Sequence, residues 1–561
     1  MKASDYIVEY LSDKGITDAF GYPGGMVTHL MESFSKYKDR ITAHITYHEQ
    51  GAAFAACGYA QASGKAGVAY ATSGPGATNL ITGICNAYFD SIPVLFITGQ
   101  VNTFESKGEL AVRQRGFQET DIVSMVDTVT KYSAKITDPN TLKWHLDHAF
   151  SVMHSGRKGP VLLDIPMNIF RAEIDPNNMQ GYSAEKIASN EDYSEIIEQL
   201  NVCKRPVILI GNGVKSSDST DVLNKFLSMT DIPVITTMPA VDVSPEKSYG
   251  FIGAYGKRTA NFIVAKSDLV ICFGARLDVR QVGAKRENFA PNAKIIRVDI
   301  DSGELSYKVH SDEIQICADI KKVLNYLFDN AGSNDFSKWK LICDEIAELL
   351  SGIDDRMPNK FIARIGDFIP ENSIITTDVG QNQVWIAQSL KTKKGQRIYF
   401  SGGHGAMGYS LPAAIGCTLA SHNTVFSFNG DGGIQMNIQE LQTVAREKLP
   451  VKIIVINNSS LGMIRHFQEM YFNSNYYQTV PVGGYTVPDF MEISKAYGIP
   501  CYVAESLDQI NEEIFSIEGP QFIEIRINEP TYVFPKLEFG KPNQDQEPLL
   551  DRTLYDTIMA L

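Results

Sequence analysis

The sequence predicts an α/β protein of three doubly wound parallel-sheet domains. Short apolar runs that stop at Gly, Asp or Asn alternate with helical stretches along the whole chain. Two polar breaks divide the chain into three such units, and at 561 residues it is too long for one core. The amphipathic start carries Tyr6, Tyr10 and Leu11. In the first third, strands are expected at 67–72, 94–98 and 161–165, with an Ala-rich helix over 52–62. A polar stretch from Ile174 to Glu195, containing Asp175-Pro176-Asn177-Asn178, reads as a linker. The middle third repeats the pattern at 207–210, 234–236, 269–273 and 295–299. After a second break, Asn330 to Lys338, strands are expected at 374–377, 425–428, 453–456 and 522–527, and a tail begins at Pro535.

Composition narrows the function classes. A formal charge of −14 leaves no basic face for nucleic acid or anionic lipid. The eight cysteines (57, 85, 203, 272, 317, 343, 417 and 501) form no C-x-x-C pair and sit mostly in apolar runs. That usage is expected of a reducing cytoplasm without structural zinc. No run of 18 apolar residues exists, and the N-terminus lacks the apolar core of a signal peptide, so a soluble, cytoplasmic protein is expected.

The stretch from Gly430 to Asn458 carries the sharpest chemistry. Gly430-Asp431-Gly432 follows one apolar run, Asn457-Asn458 follows the next, and residues 438–447 between them read as a crossover helix. Parallel strands joined this way end at the same sheet edge. The Asp431 carboxylate and Asn458 amide oxygen would then be neighbours, two hard ligands for a Mg²⁺ whose remaining positions suit a diphosphate. Taken alone, the same dipeptides are turn formers. Gly402-Gly403-His404-Gly405-Ala406-Met407-Gly408 contains G-x-G-x-x-G, but no acidic residue stands near Ala420 to Asn423, as a dinucleotide fingerprint requires. Glu49 opens the Ala-rich helix; it either complements the helix dipole or handles a proton at a domain interface. Gly21-Tyr22-Pro23-Gly24-Gly25 and Ser73-Gly74-Pro75-Gly76 are turns or ligand loops.

Taken in order, Gly-Tyr-Pro-Gly-Gly, His-Glu-Gln-Gly-Ala, Ser-Gly-Pro-Gly, Gly-Phe-Gln-Glu-Thr (116–120), Thr-Thr-Asp-Val-Gly-Gln, Gly-Asp-Gly and Asn-Asn resemble thiamine-diphosphate enzymes. Within them the chain looks most like the acetolactate synthase catalytic subunit, over about residues 1 to 530. The resemblance implies a pyrimidine-binding domain at 1–175, a middle FAD-binding-like domain at 190–330, a diphosphate-binding domain at 355–530 and a tail at 531–561. It further implies a homo-oligomer, at least a dimer, with each active site between two chains. Asp431, Asn458 and the Ser460 carbonyl would hold Mg²⁺. Val379, Gly380, Gln381, Asn382, Gly432, Gly433 and Met463 would line thiamine diphosphate. Met407 would bend it, and the Gly405 carbonyl would take its amino group. Glu49, Gly25, Phe117 and Gln118 would stand at the reacting centre, with Glu49 bonded to the pyrimidine nitrogen and Gln118 donating to an oxyanion.

The middle unit resembles the non-redox FAD segments of synthases at Gly211, Gly213, Arg276, Asp278 and Asp299, and Arg280 matches an Arg that receives the second keto-acid. Asp278-Val279-Arg280 stands where synthases read Asp-Asp-Arg. Met167 replaces a Lys, Phe467 a Trp, Met26 an Ala and His404 a Leu. The expected reaction is decarboxylation of pyruvate and transfer of its two-carbon unit to an acceptor carbonyl. A second pyruvate, giving acetolactate, is the first choice. A nucleotide-linked keto-sugar is the alternative, from Met167, Phe467 and the tail. A simple decarboxylase ranks third, because the sequence has no His-His pair to protonate the intermediate. The sequence leaves open dimer against tetramer and a small regulatory chain.

Overall fold

The computed structural model describes residues 1–184, 192–332 and 334–561. Its frame is three six-stranded sheets with strands pairing in parallel and helices between them. The first holds β1 Asp18–Gly21, β2 Thr42–Ile45, β3 Gly67–Ala71, β4 Val94–Gln100, β5 Tyr132–Lys135 and β6 Val161–Pro166, in the order β2-β1-β3-β4-β6-β5. The second holds β7 Pro206–Ile210, β8 Val234–Thr236, β9 Ser248–Phe251, β10 Leu269–Phe273, β11 Lys294–Asp299 and β12 Ile314–Cys317, ordered β12-β11-β10-β7-β8-β9. In the third, β13 Ile374–Thr377, β14 Arg397–Phe400, β15 Val425–Gly430, β16 Val451–Asn457, β17 Cys501–Ala504 and β18 Gln521–Arg526 are ordered β14-β13-β15-β16-β18-β17. Central strands such as β3, β7 and β10 are buried along their length, which is why each reads as an unbroken apolar run.

The chain forms two compact units. One contains Met1–Lys186, Ser373–Asn382 and Tyr399–Glu529; the other contains Ile187–Asn372, Gln383–Ile398 and Pro530–Leu561. In the first unit, helices Glu49–Ser63 and Ser410–Ser421 join the first and third sheet layers. Small residues let their backbones touch: a Cβ on Gly58 would lie 2.1 Å from the Ala413 carbonyl, and one on Gly416 1.8 Å from that of Ala55. Any larger side chain at either glycine would force these helices apart.

In the second unit the tail is built into the middle layer. Leu537 N–H donates to Ala254 O at 2.7 Å, and Arg258 donates to the carbonyls of Gln546 and Pro548 at 2.9 and 2.8 Å. The helix Ser337–Leu349 buries Trp339, Cys343 and Ile346 against the same layer, and Trp339 donates to Pro206 O at 3.0 Å.

Two expectations about local structure are corrected. The crossover helix does not run unbroken over 438–447: a helix covers Asp431–Met436, a 3-10 turn Ile438–Glu440, and a second helix Leu441–Glu447. Asp431 is thus itself the first residue of a helix. The second break is confined between helices ending at Asn330 and starting at Ser337, with residue 333 outside the described residues. Within the expected linker Ile174–Glu195, residues 185–191 also lie outside them, while Ser194 already opens a helix.

A charge relay ties the two layers of the first unit. Buried His44 contacts Asp18 Oδ1 through Nε2 at 2.8 Å and Glu447 Oε2 through Nδ1 at 2.7 Å. Burial alone would lower its pKa, but the two carboxylates win and raise it from 6.5 to about 9. A raised folded pKa means stability fully present below pH 6.5 and lost as pH rises through about 9. The expected loss is about 3 kcal/mol across that window. Denaturant melts at pH 6.5 and 9.5 will show it in the wild type and far less in His44→Gln; equal slopes in both would refute the assignment.

Candidate active site

All three sheets share one topological feature. In each, the chain leaves a central strand in one direction and later returns to that strand's other side, so a switch point opens between β1 and β3, between β7 and β10, and between β13 and β15. Ligands of doubly wound sheets bind in such crevices, beyond the carboxyl ends of the strands. The glycine loops read from the sequence lie there: Gly21–Gly25 and Ser73–Gly76 at the first, Gly211–Gly213 and Gly274 at the second, Asp378–Gly380 and Gly430–Gly433 at the third. Facing loops touch. A Cβ on Gly24 would lie 2.4 Å from Thr72, one on Gly211 2.0 Å from Gly274 O, and one on Gly433 2.3 Å from Asp378 Oδ2.

Beside the third switch point, Gly430 of β15 pairs with Ile456 of β16, so Asp431 and Asn458 leave adjacent strand ends. The Ser460 N–H lies 3.2 Å from Asp431 Oδ2 and 3.1 Å from Asn458 Oδ1, which places both oxygens around one donor. Asn458 Nδ2 donates to Gln381 Oε1 at 3.1 Å, orienting the amide oxygen toward Asp431. Ser459, with φ +50°, makes the kink that brings Ser460 back. Tyr485 OH donates to Asp431 Oδ1 at 3.2 Å. Burial lifts the Asp431 carboxyl to about 6 despite these donors. Among the described residues no lysine or arginine pairs with it, and the buried Asn382 Oδ1 and Ser460 Oγ lack partners. A buried carboxylate without a cation, ringed by unfilled oxygens, fits a hard divalent ion. Among the described residues no group of three or more His, Cys, Asp or Glu is gathered for a metal.

The loop after β14 completes this edge. Asp90 accepts the N–H groups of Gly402 and Gly403 at 3.1 and 2.7 Å, His404 stacks on Phe89, and Ser401 Oγ takes the Ala406 N–H at 2.9 Å. Gly405 holds φ +70° with open space beside its Cα. The Met407 methyl would lie 3.3 Å from a Cβ on Gly432, so Met407 reaches the Asp431 loop. Gly408 N–H donates to Asp378, which also takes the Val379 N–H at 2.7 Å; burial pushes Asp378 up to about 7. Gln381 reaches the next loop as well, since a Cβ on Gly462 would lie 2.0 Å from its Oε1. Met463 follows at the start of the helix Gly462–Tyr471. Farther along that helix, half-exposed Phe467 packs on Tyr471 at 4.6 Å.

The first sheet presents the other group. Glu49 is the first residue of helix Glu49–Ser63 and is buried; its Oε2 accepts from Asn79 at 3.0 Å, and Gly76 leaves room for its Oε1. Phe117 is 79% exposed, and Gln118 has φ +63°. Their loop is pinned by Glu119, which accepts from Ser106 Oγ at 2.6 Å and from the N–H groups of Lys107, Arg115 and Gly116. Those donors overcome desolvation and hold the Glu119 carboxyl down at about 2. Gln100 carries the same loop to the sheet, donating to Thr120 O and buried Asp164. Gly25 has open space beside it, and the Met26 carbonyl would lie 2.5 Å from a Cβ on Gly99. Met167 follows β6, which pairs with β4. Met26, Met167, Phe117 and Gln118 therefore share the carboxyl edge of the first sheet.

Gly211, Gly213, Arg276, Asp278, Arg280 and Asp299 belong to the second unit. Arg276 pairs with Asp278 at 3.0 Å, the Arg280 guanidinium lies 5.8 Å from the Tyr255 ring centroid, and Asp299 Oδ1 takes the Asp301 N–H. Gly211 and Gly213 press on the Gly274 backbone, so close packing already requires glycine there.

Sequence reasoning missed Asp378, Tyr485, Glu119 and Gln100 as site builders. Asp378 had a readable signal, a carboxylate directly after a buried strand; Tyr485 and Gln100 act through contacts with other segments and Glu119 within its own loop, and none of these leaves one.

These switch points and glycine loops define an α/β protein of the diphosphate- or nucleotide-binding class. Family models narrow the class. "Thiamine pyrophosphate enzyme, N-terminal TPP binding domain" matches residues 1–125, the central domain 193–327 and the C-terminal TPP binding domain 378–525. The chain belongs to the thiamine pyrophosphate enzyme family. It is 35% identical over 560 residues to the acetolactate synthase large subunit of Lactococcus lactis, covering 96% of this chain and 94% of that one. It is 34% identical over 558 residues to the isozyme 2 large subunit of Escherichia coli, with 97% and 99% covered. A probable acetolactate synthase large subunit of Methanocaldococcus jannaschii is 35% identical over 540 residues, with 92% and 89% covered. The chain is thus a thiamine-diphosphate-dependent enzyme, and among its described residues no helix is long and apolar enough to cross a membrane.

Proposed function

We propose that this enzyme is a Mg²⁺-dependent carboligase that decarboxylates pyruvate and joins the two-carbon unit to a second pyruvate, forming acetolactate. The observation that carries this is the cation-free, buried Asp431 carboxylate gathered with Asn458 and Ser460 beside a switch point. The synthase names of the near-full-length relatives supply the substrate. Asp431, the Asn458 amide and the Ser460 carbonyl would hold Mg²⁺. Val379, Gly380, Gln381, Asn382, Gly432, Gly433 and Met463 would line the diphosphate. Bound thiamine diphosphate supplies an electron sink for loss of CO₂ from a 2-keto acid.

The remaining steps belong to side chains. Met407 would press the cofactor into a bent shape and the Gly405 carbonyl would hold its amino group. Glu49, lent by a second copy of the chain, would keep a proton at the pyrimidine nitrogen. Phe117 would exclude water and Gln118 would donate to the developing oxyanion. Met26, Met167 and Phe467 would shape the acceptor pocket. FAD would bind the second unit near Gly211, Gly213, Arg276, Asp278 and Asp299; the Arg276–Asp278 pair at the β7/β10 switch point is the polar group suited to it.

The test supplies ¹³C-pyruvate alone to purified protein with Mg²⁺, thiamine diphosphate and FAD, followed by NMR. Labelled acetolactate is the expected product. Slow acetaldehyde release or no turnover would overturn pyruvate as acceptor and leave the larger keto-sugar acceptor as the reading to test, the one that Met167 and Phe467 favour.

A further inference from the structure

Glu49 is presented by a turn that the third sheet's layer grips from the same chain. Glu440 Oε1 accepts the backbone N–H of Tyr47 at 2.8 Å and of His48 at 3.1 Å, the two residues just before Glu49. Its Oε2 takes the Thr443 hydroxyl at 3.0 Å. The Glu440 side chain is fully buried, and Gly51 forms the notch that admits it: a Cβ there would lie 2.5 Å from Oε1. Neighbours repeat the hold. Arg446 donates to Ile45 O at 2.7 Å and to Tyr47 OH at 3.0 Å, and Asn437 donates to Gln50 Oε1 at 3.2 Å and to Gly408 O at 2.8 Å.

An acid in this place carries a desolvation cost. Burial holds its carboxyl up at about 7 against the N–H donors, and among the described residues no basic side chain forms an ion pair with it. An apolar residue of similar shape would avoid that cost but leave the Tyr47 and His48 N–H groups without acceptors. What Glu440 contributes is the location of those two N–H groups, at the N-terminus of the helix that begins with Glu49.

We propose that Glu440 is the positioning residue for Glu49: its two backbone hydrogen bonds set where the Glu49 carboxylate meets the pyrimidine of thiamine. This rests on the role proposed above for Glu49. Because that glutamate would serve the neighbouring chain's cofactor, the segment following Asp431 in one chain sets the geometry of the acid that chain lends.

The test measures exchange of the thiamine C2 proton with deuterium, by acid quench and NMR, in full-length protein saturated with Mg²⁺ and thiamine diphosphate. This readout needs no substrate and reports only cofactor activation. Glu440→Ala is expected to slow exchange about ten- to a hundredfold, as a displacement of an ångström does, while still saturating with cofactor. Glu440→Gln keeps an oxygen for both N–H groups and is expected to recover most of the rate. Gly51→Ala, which pushes a methyl group against Oε1, should also slow exchange and serves if Glu440→Ala does not fold. Wild-type exchange in Glu440→Ala beside slow exchange in Glu49→Gln overturns the positioning role alone. Equal losses in Glu440→Ala and Glu440→Gln also overturn it. Wild-type exchange in Glu49→Gln overturns the assignment of Glu49 and this inference with it.

Discussion

Asp431→Ala will give a folded protein that no longer retains Mg²⁺ or thiamine diphosphate and forms no acetolactate above background. In the proposed site the Asp431 carboxylate is the sole charged ligand; Asn458 and Ser460 offer neutral oxygens only. Removing it takes away the charge that compensates a divalent ion, and a loss of about a thousandfold in turnover is expected from electrostatic interactions of this kind. The fold does not depend on it in the same way. The buried carboxylate is held by backbone N–H groups and a tyrosine hydroxyl without an ion pair among the described residues, so its removal should barely lower the melting temperature of the apoprotein. The contrast is the check: cofactor titration by calorimetry and thermal melts with and without Mg²⁺. A variant that still melts higher with Mg²⁺ and thiamine diphosphate, or still makes acetolactate, would exclude Asp431 as the metal ligand.

The second large effect concerns Glu49. Glu49→Gln should lower turnover by about a hundredfold or more, the scale expected for a general acid–base group. It is also expected to be complemented by Asp431→Ala. If every site takes Glu49 from one chain and Asp431 from another, a mixed dimer of the two inactive variants holds one doubly damaged site and one intact site. Unfolding and refolding an equal mixture then restores about a quarter of wild-type activity, as random pairing of two-fold dimers requires. If both groups act within one chain, no mixture regains activity. The measurement is a titration of one variant into the other, with acetolactate as readout.

What could be read in advance follows a physical pattern. Interior strands such as β3, β7 and β10 were recognised because both faces are covered and every position is apolar. The edge strands β2, β5, β9, β12, β14 and β17 were not read as strands. They are only four residues long; β2, β5, β9, β12 and β17 are mostly half-buried, and β2 and β12 also carry an exposed position. β1 was also missed, since Asp18-Ala19-Phe20-Gly21 carries an acid that is buried against His44. The helix starting at Asp431 was misplaced because Gly432 and Gly433 argue locally for a turn; Asp378, pressed against Gly433, shows why glycine stands there.

The chain's own order of residues determined that it would form parallel α/β layers, that Asp431 and Asn458 follow neighbouring strands, that Gly405 and Met407 lie in a glycine loop, and that Glu49 opens a helix. Periodicity and glycine placement are local properties, and the backbone must obey them wherever the segment lies. Tertiary structure alone decided which loops face each other, through the strand orders that create the switch points. It also decided that the Ser460 N–H would draw Asp431 and Asn458 together, that Glu119 would pin the Phe117–Gln118 loop, and that Glu440 would find Tyr47 and His48. The contacts of Asp431 with Ser460 and of Glu440 with Tyr47 and His48 join residues far apart in the chain. Their strength comes from burial, which turns an ordinary surface carboxylate into a fixed acceptor, and no residue's own identity announces whether it will be buried.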